Sequence, residues 1–412
     1  MTEPTAQPAG GVCPLPPLRR NRDFNLLWIS GTLSDLGSLT SLLAIPLLVL
    51  SLTGSPAQAG LVGTVGAVVR GAASLPGGAL ADRWNRRRVM LVSDLARLAL
   101  FAALGFATVT GHLSLPLIIA VVSGDALFDV LFSPAEIAAV AQLVPADQLP
   151  DAFARDQARS YGASMLGPPL GGLLYGIGRA VPFLFDALSF LVSFVAVAAI
   201  RRPVQSRRDA APVQSVAGDI AEGVRHVLRS PFLRAILLVA APVNFGVTGA
   251  LFAVTVGLRQ HGVTATTIGL AQGAIAVGGL LGALVAGPLQ RRATVRTLVI
   301  AIDATLLGCV ALAGILLPHL VLVVPLAAGL FLSPAINAAL FGRLASTTPD
   351  RLQARVTSVI VLGTSTAASI APLVTGVVIE WLGATAAMEL CALAILIATV
   401  SAVLSPGLRQ PD

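Results

Sequence analysis

Apolar runs of about 20 or more residues, each closed off by a charge, a glycine or a proline, recur along the whole chain of 412 residues. A bilayer core roughly 30 Å thick needs about 20 apolar residues to cross it as a helix, so these runs predict membrane spans. They fall at 24–50, 57–81, 89–110, 114–136, 154–177, 181–200, 232–257, 266–289, 295–316, 320–341, 355–379 and 384–404. Glycine and proline inside several of them are compatible with spanning, because neighbouring helices re-satisfy freed backbone groups. The predicted fold class is an all-α polytopic membrane protein with twelve transmembrane helices.

The long break at 201–231, RRPVQSRRDAAPVQSVAGDIAEGVRHVLRSP, divides the spans six and six. Within it, DIAEGVRHVLRS sets Ile220, Val224, Val227 and Leu228 on one helical face, which predicts a short amphipathic helix lying on the membrane surface. Residues 1–23 are rich in Pro and Gly, lack the charged start and apolar run of a signal peptide, and are expected as a disordered cytoplasmic tail. A short tail, 405–412, closes the chain.

The two sets of spans resemble one another. FSPA at 132–135 recurs as LSPA at 332–335, and GLVGTVGAV from 60 recurs as GLAQGAIAV from 269. At that same offset of 209, Gly78 meets Gly287 and Asp94 meets Asp303, while GPPLGG from 167 meets APLVTG from 371. Parallel internal repeats with a midplane site between them are the mark of a transporter whose halves rock against each other, so 24–200 and 232–404 are expected as two pseudo-symmetric six-helix halves.

Composition agrees: 55% of residues are hydrophobic, 11% are charged and the mean hydropathy is +0.85, against roughly 25% charged residues in soluble domains. The net charge of +7 admits either a nucleic-acid partner or the positive-inside rule. Distribution decides for the second. Every one of the 27 basic residues is arginine. With both termini in the cytoplasm, nearly all, Arg155 and Arg159 among them, fall on the cytoplasmic side, leaving Arg179 and Arg259 outside and Arg70 and Arg97 within spans. Cys13, Cys309 and Cys391 have no metal-ligand spacing, so no metal or cofactor is expected. No nucleophile elbow or phosphate-cradling loop points to an enzyme.

GGALADRWNRRRVM, at 77–90, resembles the loop between helices two and three of the major facilitator superfamily, Gly-x-Leu-x-Asp-Arg-x-Gly-Arg-Arg/Lys. Gly78, Leu80, Asp82, Arg83, Arg86 and Arg87 match; Asn85 replaces the usual glycine, and its tolerance of left-handed backbone is expected to preserve the turn. GPPLGG in the fifth span, through Gly167, Pro168, Gly171 and Gly172, resembles the motif of the superfamily's exporters and antiporters. Its physical content is a kinkable helix that others approach closely. RNRDFNLLWISGTLSDLG, SPAEIAAVAQLVPADQL, FLFDALSFLVSFV and DIAEGVRHVLRSPFLRA are similar to the twelve-helix bacterial branch of macrolide-type drug exporters and siderophore exporters. The resemblance implies a gate in which Asp82 faces the start of helix eleven, where a helix dipole favours an anion.

Ionisable groups at membrane depth cost roughly 2.5–3.5 kcal/mol on insertion scales and therefore need a partner, water or a function. Asp35 lies about 16 Å into the first span; Asp125 is equally deep in the fourth, with Asp129 one turn beyond. In the superfamily's fold these two helices line the central cavity. The three carboxylates are candidates for proton coupling and for recognition of a cationic substrate, or for structural pairing with Arg70. Asp94, Arg97 and Glu136 are expected to extend the gate around Asp82 and Arg86. Asp186 is either a structural pair between the halves or a substrate contact. Asp303, Glu389 and Glu380 are weaker candidates, and His112, His261 and His319 are expected as solvated loop residues.

The expected function is export of small amphipathic molecules, an antibiotic, drug or secondary metabolite, across the bacterial inner membrane by proton antiport, with the protein working as a monomer in the lipid bilayer. A siderophore or lipid exporter of the same branch, and a nontransporting membrane receptor, are the alternatives.

Overall fold

A computed structural model describes residues 17–202, 216–290 and 294–408, except for the side chains of 75–83, 216–220, 289–290, 350, 351 and 354. The described helices are α1 (Arg22–Thr53), α2 (Pro56–Arg83), α3 (Arg86–Thr110), α4 (Leu115–Leu143), α5 (Leu149–Ile177), α6 (Val181–Ala199), α7 (Val216–Arg229), α8 (Pro231–Gln260), α9 (Ala265–Gln290), α10 (Val295–Leu316), α11 (Val323–Thr347), α12 (Asp350–Leu382) and α13 (Ala384–Leu404). Among the described residues ten helices are long and apolar enough to cross a membrane, so the chain is an all-α polytopic membrane protein. The other two long helices are α2 and α5, and α5 carries Asp151, Arg155, Asp156 and Arg159 in its first half.

Helix ends follow local capping chemistry. The Asn21 side chain accepts a hydrogen bond from the Phe24 N–H at 3.2 Å, and α1 stops at Gly54, whose φ of 69° is open to glycine without strain. Asn85 departs from the left-handed expectation: it is extended, with φ −66° and ψ 110°, and its side chain accepts from Arg88 N–H at 3.2 Å as the N-cap of α3. Asparagine serves this turn as a cap.

Four helices overrun their predicted ends, α4 to Leu143, α5 from Leu149, α11 to Thr347 and α12 from Asp350. The predictions stopped where the apolar run met a charge, but a helix closes its backbone hydrogen bonds as well in water as in lipid, and arginine, glutamine and leucine in these extensions are good helix formers. Residues 18–23 of the predicted tail are also structured: Leu18 N–H donates to Gln148 Oε1 at 2.9 Å and Asn21 Nδ2 donates to the Leu143 carbonyl at 2.6 Å. Helix α7 covers the predicted amphipathic segment but rests on the protein: Val227 is buried, Glu222 pairs with Arg355, and Gly223 lies against α12.

The halves share one packing scheme. In the first, α1 packs on α5 and α6, α2 on α4, and α3 on α4 and α6; in the second, α8 packs on α12 and α13, α9 on α11, and α10 on α11 and α13. Between them, α2 crosses α12 and α5 crosses α9. A Cβ on Gly172 would come within 3.0 Å of Gly269 Cα, and one on Gly376 within 3.2 Å of Ala57 Cα. Without a hydrophobic drive between helices in lipid, such close backbone approach supplies the packing energy. The crossings lie near the α1–α2, α5–α6, α8–α9 and α12–α13 connections, at the end away from both termini. Glu380 reinforces that end, accepting hydrogen bonds from Ser55 Oγ and, at 3.1 Å, from the Ala57 N–H. One apolar core spans both halves there, including Leu47, Phe183, Ala253, Ile268 and Met388. Toward the termini the apolar packing divides, one cluster in each half, around Phe24, Met90 and Leu143 and around Leu233, Val299 and Val356.

Candidate functional site

A cavity of about 450 Å³ lies in the first half. Its α1 wall carries Ser34, Asp35, Ser38 and Ser41, and its α4 wall Asp125, Asp129, Ser133 and Glu136. These positions repeat every three or four residues, which puts each set on one helical face. Arg70 from α2 and Arg97 from α3 complete the charged lining.

Arg97 is the hub. Its side chain is 4% exposed; Nε donates to Asp125 Oδ1 at 2.7 Å, Nη2 donates to Ser38 Oγ at 3.2 Å, and Nη1 lies 3.5 Å from Asp129 Oδ1. The guanidinium stacks over the Phe190 ring, 4.1 Å from its centroid, a contact that strengthens where water is excluded. Arg70 pairs with the other oxygen of Asp129. A second hub, Arg159 on α5, is 5% exposed: Nη1 donates to Glu136 Oε1 at 2.9 Å, Nη2 lies 2.9 Å from Asp156 Oδ1, and Nε lies 3.2 Å from Asp35 Oδ2.

Breaking such a buried network by removing one partner is costly, because the charge left behind is unpaired. Among the residues that line the cavity, the carboxyl groups of Asp35, Asp125, Asp129 and Glu136 outnumber the guanidiniums of Arg70 and Arg97.

The structure distributes the candidates as follows. Arg70 pairs with Asp129, and Asp35 pairs with Arg159, an arginine that charge asymmetry assigns to the cytoplasmic side. Arg97 joins the Asp125–Asp129 group, whereas Asp94, one turn earlier, points elsewhere and accepts from Ser193 Oγ at 2.8 Å. Glu136 belongs to the Arg159 group. Asp186 is fully buried within the first half, against Gly37 of α1 and Ser189 of its own helix. That position is inside one half and away from the crossings between halves. Arg87 Nη2 donates to the Ala198 carbonyl at 2.6 Å, and Arg86 opens α3. The gate candidates Gly78, Asp82 and Arg83 lie outside the residues whose side chains are described.

In the fifth-helix motif, Gly167 approaches Leu39, Gly171 approaches the Thr40 backbone, and Gly172 and the Pro168 carbonyl meet α9. One short run thus serves two neighbours, α1 inside the half and α9 across the boundary. Sequence reasoning missed Arg159 because, although the predicted span 154–177 contains it, charge asymmetry assigns it to the cytoplasmic side. The i,i+3 pair Asp156–Arg159 within a run free of helix breakers was the available signal.

The family described as transmembrane secretion effector matches residues 12–410. The chain is 28% identical over 407 residues to the multidrug efflux pump Tap of Mycolicibacterium fortuitum, covering 94% of this chain and 96% of that one. It is 27% identical over 255 residues to the enterobactin exporter EntS of Citrobacter koseri, covering 60% and 58%. In fold it is similar to a bacterial homologue of the iron transporter ferroportin solved in an inward-facing state, with a TM-score of 0.74 at 16% identity over 94% of this chain and 99% of that one. The chain therefore belongs to the transmembrane secretion effector family of the major facilitator superfamily, and it is a secondary transporter that moves small molecules across a membrane, not an enzyme.

Proposed function

We propose that this protein exports small amphipathic molecules, cationic antibiotics or drugs foremost, across the bacterial inner membrane by proton antiport. The observation that carries the reading is the roughly 450 Å³ cavity with its excess of carboxylates held by Arg97, Arg159 and Arg70. Asp35, Asp125 and Asp129 are its coupling and cation-recognition groups, and Arg97 and Arg159 keep them poised. Twelve spans form two pseudo-symmetric halves, 24–200 and 232–404, joined by the linker 201–231, with both termini cytoplasmic. In that orientation the crossings between halves seal the outer end, and the cavity serves the cytoplasm. The α2–α3 loop, through Gly78, Asp82, Arg83, Arg86 and Arg87, forms the opposing gate, and the protein works as a monomer.

Similarity to the efflux pump Tap along nearly the whole chain supports the drug-export reading. A second reading, a siderophore exporter, is supported by the similarity to EntS over 60% of the chain; growth defects confined to iron starvation after gene deletion would favour it.

The test is transport in everted vesicles. An imposed pH gradient is expected to drive uptake of amphipathic cations with substrate-dependent proton release, and Asp125→Asn, Asp129→Asn and Asp35→Asn to impair it. Absence of proton release, with all three variants matching wild type, refutes the proposal.

A further inference from the structure

The second half contains a buried carboxylate that takes no part in the proposed export machinery. Asp303, on α10, has 0% exposure, and neither carboxyl oxygen accepts a hydrogen bond. It lines a cavity of about 180 Å³ between α8, α10 and α11, otherwise walled by apolar groups such as Val243, Leu306 and Ile336, together with Asn244, Ser333 and Asn337. Asn244 and Asn337 are exposed and mark the cavity's approach, while Asp303 forms its floor. Asn244 Nδ2 donates to the Ala240 carbonyl at 2.8 Å, so Oδ1 is its remaining polar atom.

The internal repeat shows that this cavity is the counterpart of part of the first. At the offset of 209, Asn244 stands where Asp35 stands and Leu306 where Arg97 stands; at the offset of 200 set by the SPA repeat, Ser333 matches Ser133. Asp303 itself corresponds to Asp94, which has Ser193 as its donor. Arg70, Arg97 and Arg159 have no cationic counterparts.

We propose that Asp303, with Asn244, Ser333 and Asn337, forms a binding site for a monovalent cation, H⁺ or Na⁺. An ionised carboxylate with no donor and no counter-charge at this depth costs several kcal/mol, so the group holds a proton or a bound cation. The carboxylate, amide and hydroxyl oxygens that line the cavity are hard ligands of the type alkali cations take. A cavity of this size accommodates such an ion with water. The charged groups on the packed helices do not line the cavity. Arg234 and Arg259 lie toward opposite ends of α8, Arg296 opens α10 and donates to the Val403 carbonyl, Arg343 stacks over Phe232, and Glu389 of α13 is exposed. Binding is a reversible exchange at the Asp303 oxygens, H⁺ leaving as Na⁺ or water replaces it.

The site does not depend on the export reading; its coupling to transport does. The test therefore uses no substrate. The full-length protein is reconstituted in proteoliposomes, and infrared difference spectra are recorded on raising the pH in choline chloride and on adding NaCl at fixed pH. The expected result is a buried carboxylic-acid band that is lost at high pH, is absent in Asp303→Asn, and titrates at a different pH in Asn337→Ala. Loss of the band with NaCl identifies a Na⁺ site, and insensitivity to NaCl identifies a proton site; both support the proposal. If no carboxyl band responds to pH or Na⁺, or if the Asp303→Asn and wild-type difference spectra coincide, the proposal is wrong. Should Asp303→Asn fail to fold, an unshifted titration in both Asn337→Ala and Asn244→Ala overturns it equally.

Discussion

Where the first half holds Arg70, Arg97 and Arg159, the second holds Gly279, Leu306 and Gly363; where the first holds Asp35, Asp129 and Glu136, the second holds Asn244, Gly329 and Ile336. The helices carrying these residues pack in the same order in both halves. One scaffold therefore carries two electrostatic solutions. In the first half, Arg70, Arg97 and Arg159 hold Asp35, Asp125, Asp129, Asp156 and Glu136, while the buried Asp94 and Asp186 rest against serine hydroxyls. In the second they are absent together, and the shared acidic position survives as Asp303 without a donor. At these equivalent positions the arginines and the carboxylates they hold are absent together, and losing the arginines alone would leave unpaired carboxylates inside the membrane.

The largest test of that contrast is Arg97→Leu, which installs at the hub the residue found at the equivalent Leu306. It leaves Asp125 and part of Asp129 without their cation and is expected to cost about 3–5 kcal/mol, the usual penalty for breaking a buried pair. Thermal unfolding in detergent would register it, and adding Asp125→Asn should restore much of the loss. A double variant as unstable as Arg97→Leu alone would break the argument that the charges form a set.

The boundary between halves offers the next test. At the repeat offsets, Gly172 meeting Ala265 and Gly269 is the counterpart of Gly376 meeting Pro56 and Ala57. Gly172→Leu and Gly376→Leu should each disfavour the closely packed end by about 1–3 kcal/mol, the scale of overpacking in a close-packed interior. Spin-label distances across that end should lengthen in both variants, and lengthening in only one would show that the crossings are not equivalent.

Ser193→Ala removes the donor to Asp94 and gives the first half an orphaned carboxylate like that of the second. The expected cost is about 1–3 kcal/mol in unfolding stability, and the residue should acquire the cation sensitivity proposed for Asp303. The smallest effect is expected from Glu380→Gln, an exposed link between Ser55 and the start of α2. It should shift the same spin-label distances toward the open form while leaving unfolding unchanged.

Much of this architecture is legible in the amino-acid pattern, because membrane thickness imposes a length on every apolar run. The repeat between GLVGTVGAV and GLAQGAIAV likewise falls on Gly60 and Gly269, which sit at equivalent crossings. Pairing is a different matter. Which of three arginines meets Asp35 depends on the rotation of each helix about its axis, and a hydrophobic run says little about rotation. Arg159 lies near the start of the predicted span 154–177, where charge asymmetry assigns it to the cytoplasmic side, yet helix α5 aims it inward at Asp35 and Glu136. Asp94 and Arg97 stand only three residues apart, yet a turn of helix separates them into different environments, Asp94 against Ser193 and Arg97 against Asp125.

The most direct test of the account is equilibrium binding of a fluorescent amphipathic monocation to the purified protein, compared with Asp35→Asn, Asp125→Asn and Asp129→Asn. If the carboxylate excess of the first half recognises the substrate, these variants should lose about tenfold in affinity or more, which corresponds to about 1.4 kcal/mol. Affinities that all stay at the wild-type value, or that rise on neutralisation, would contradict it.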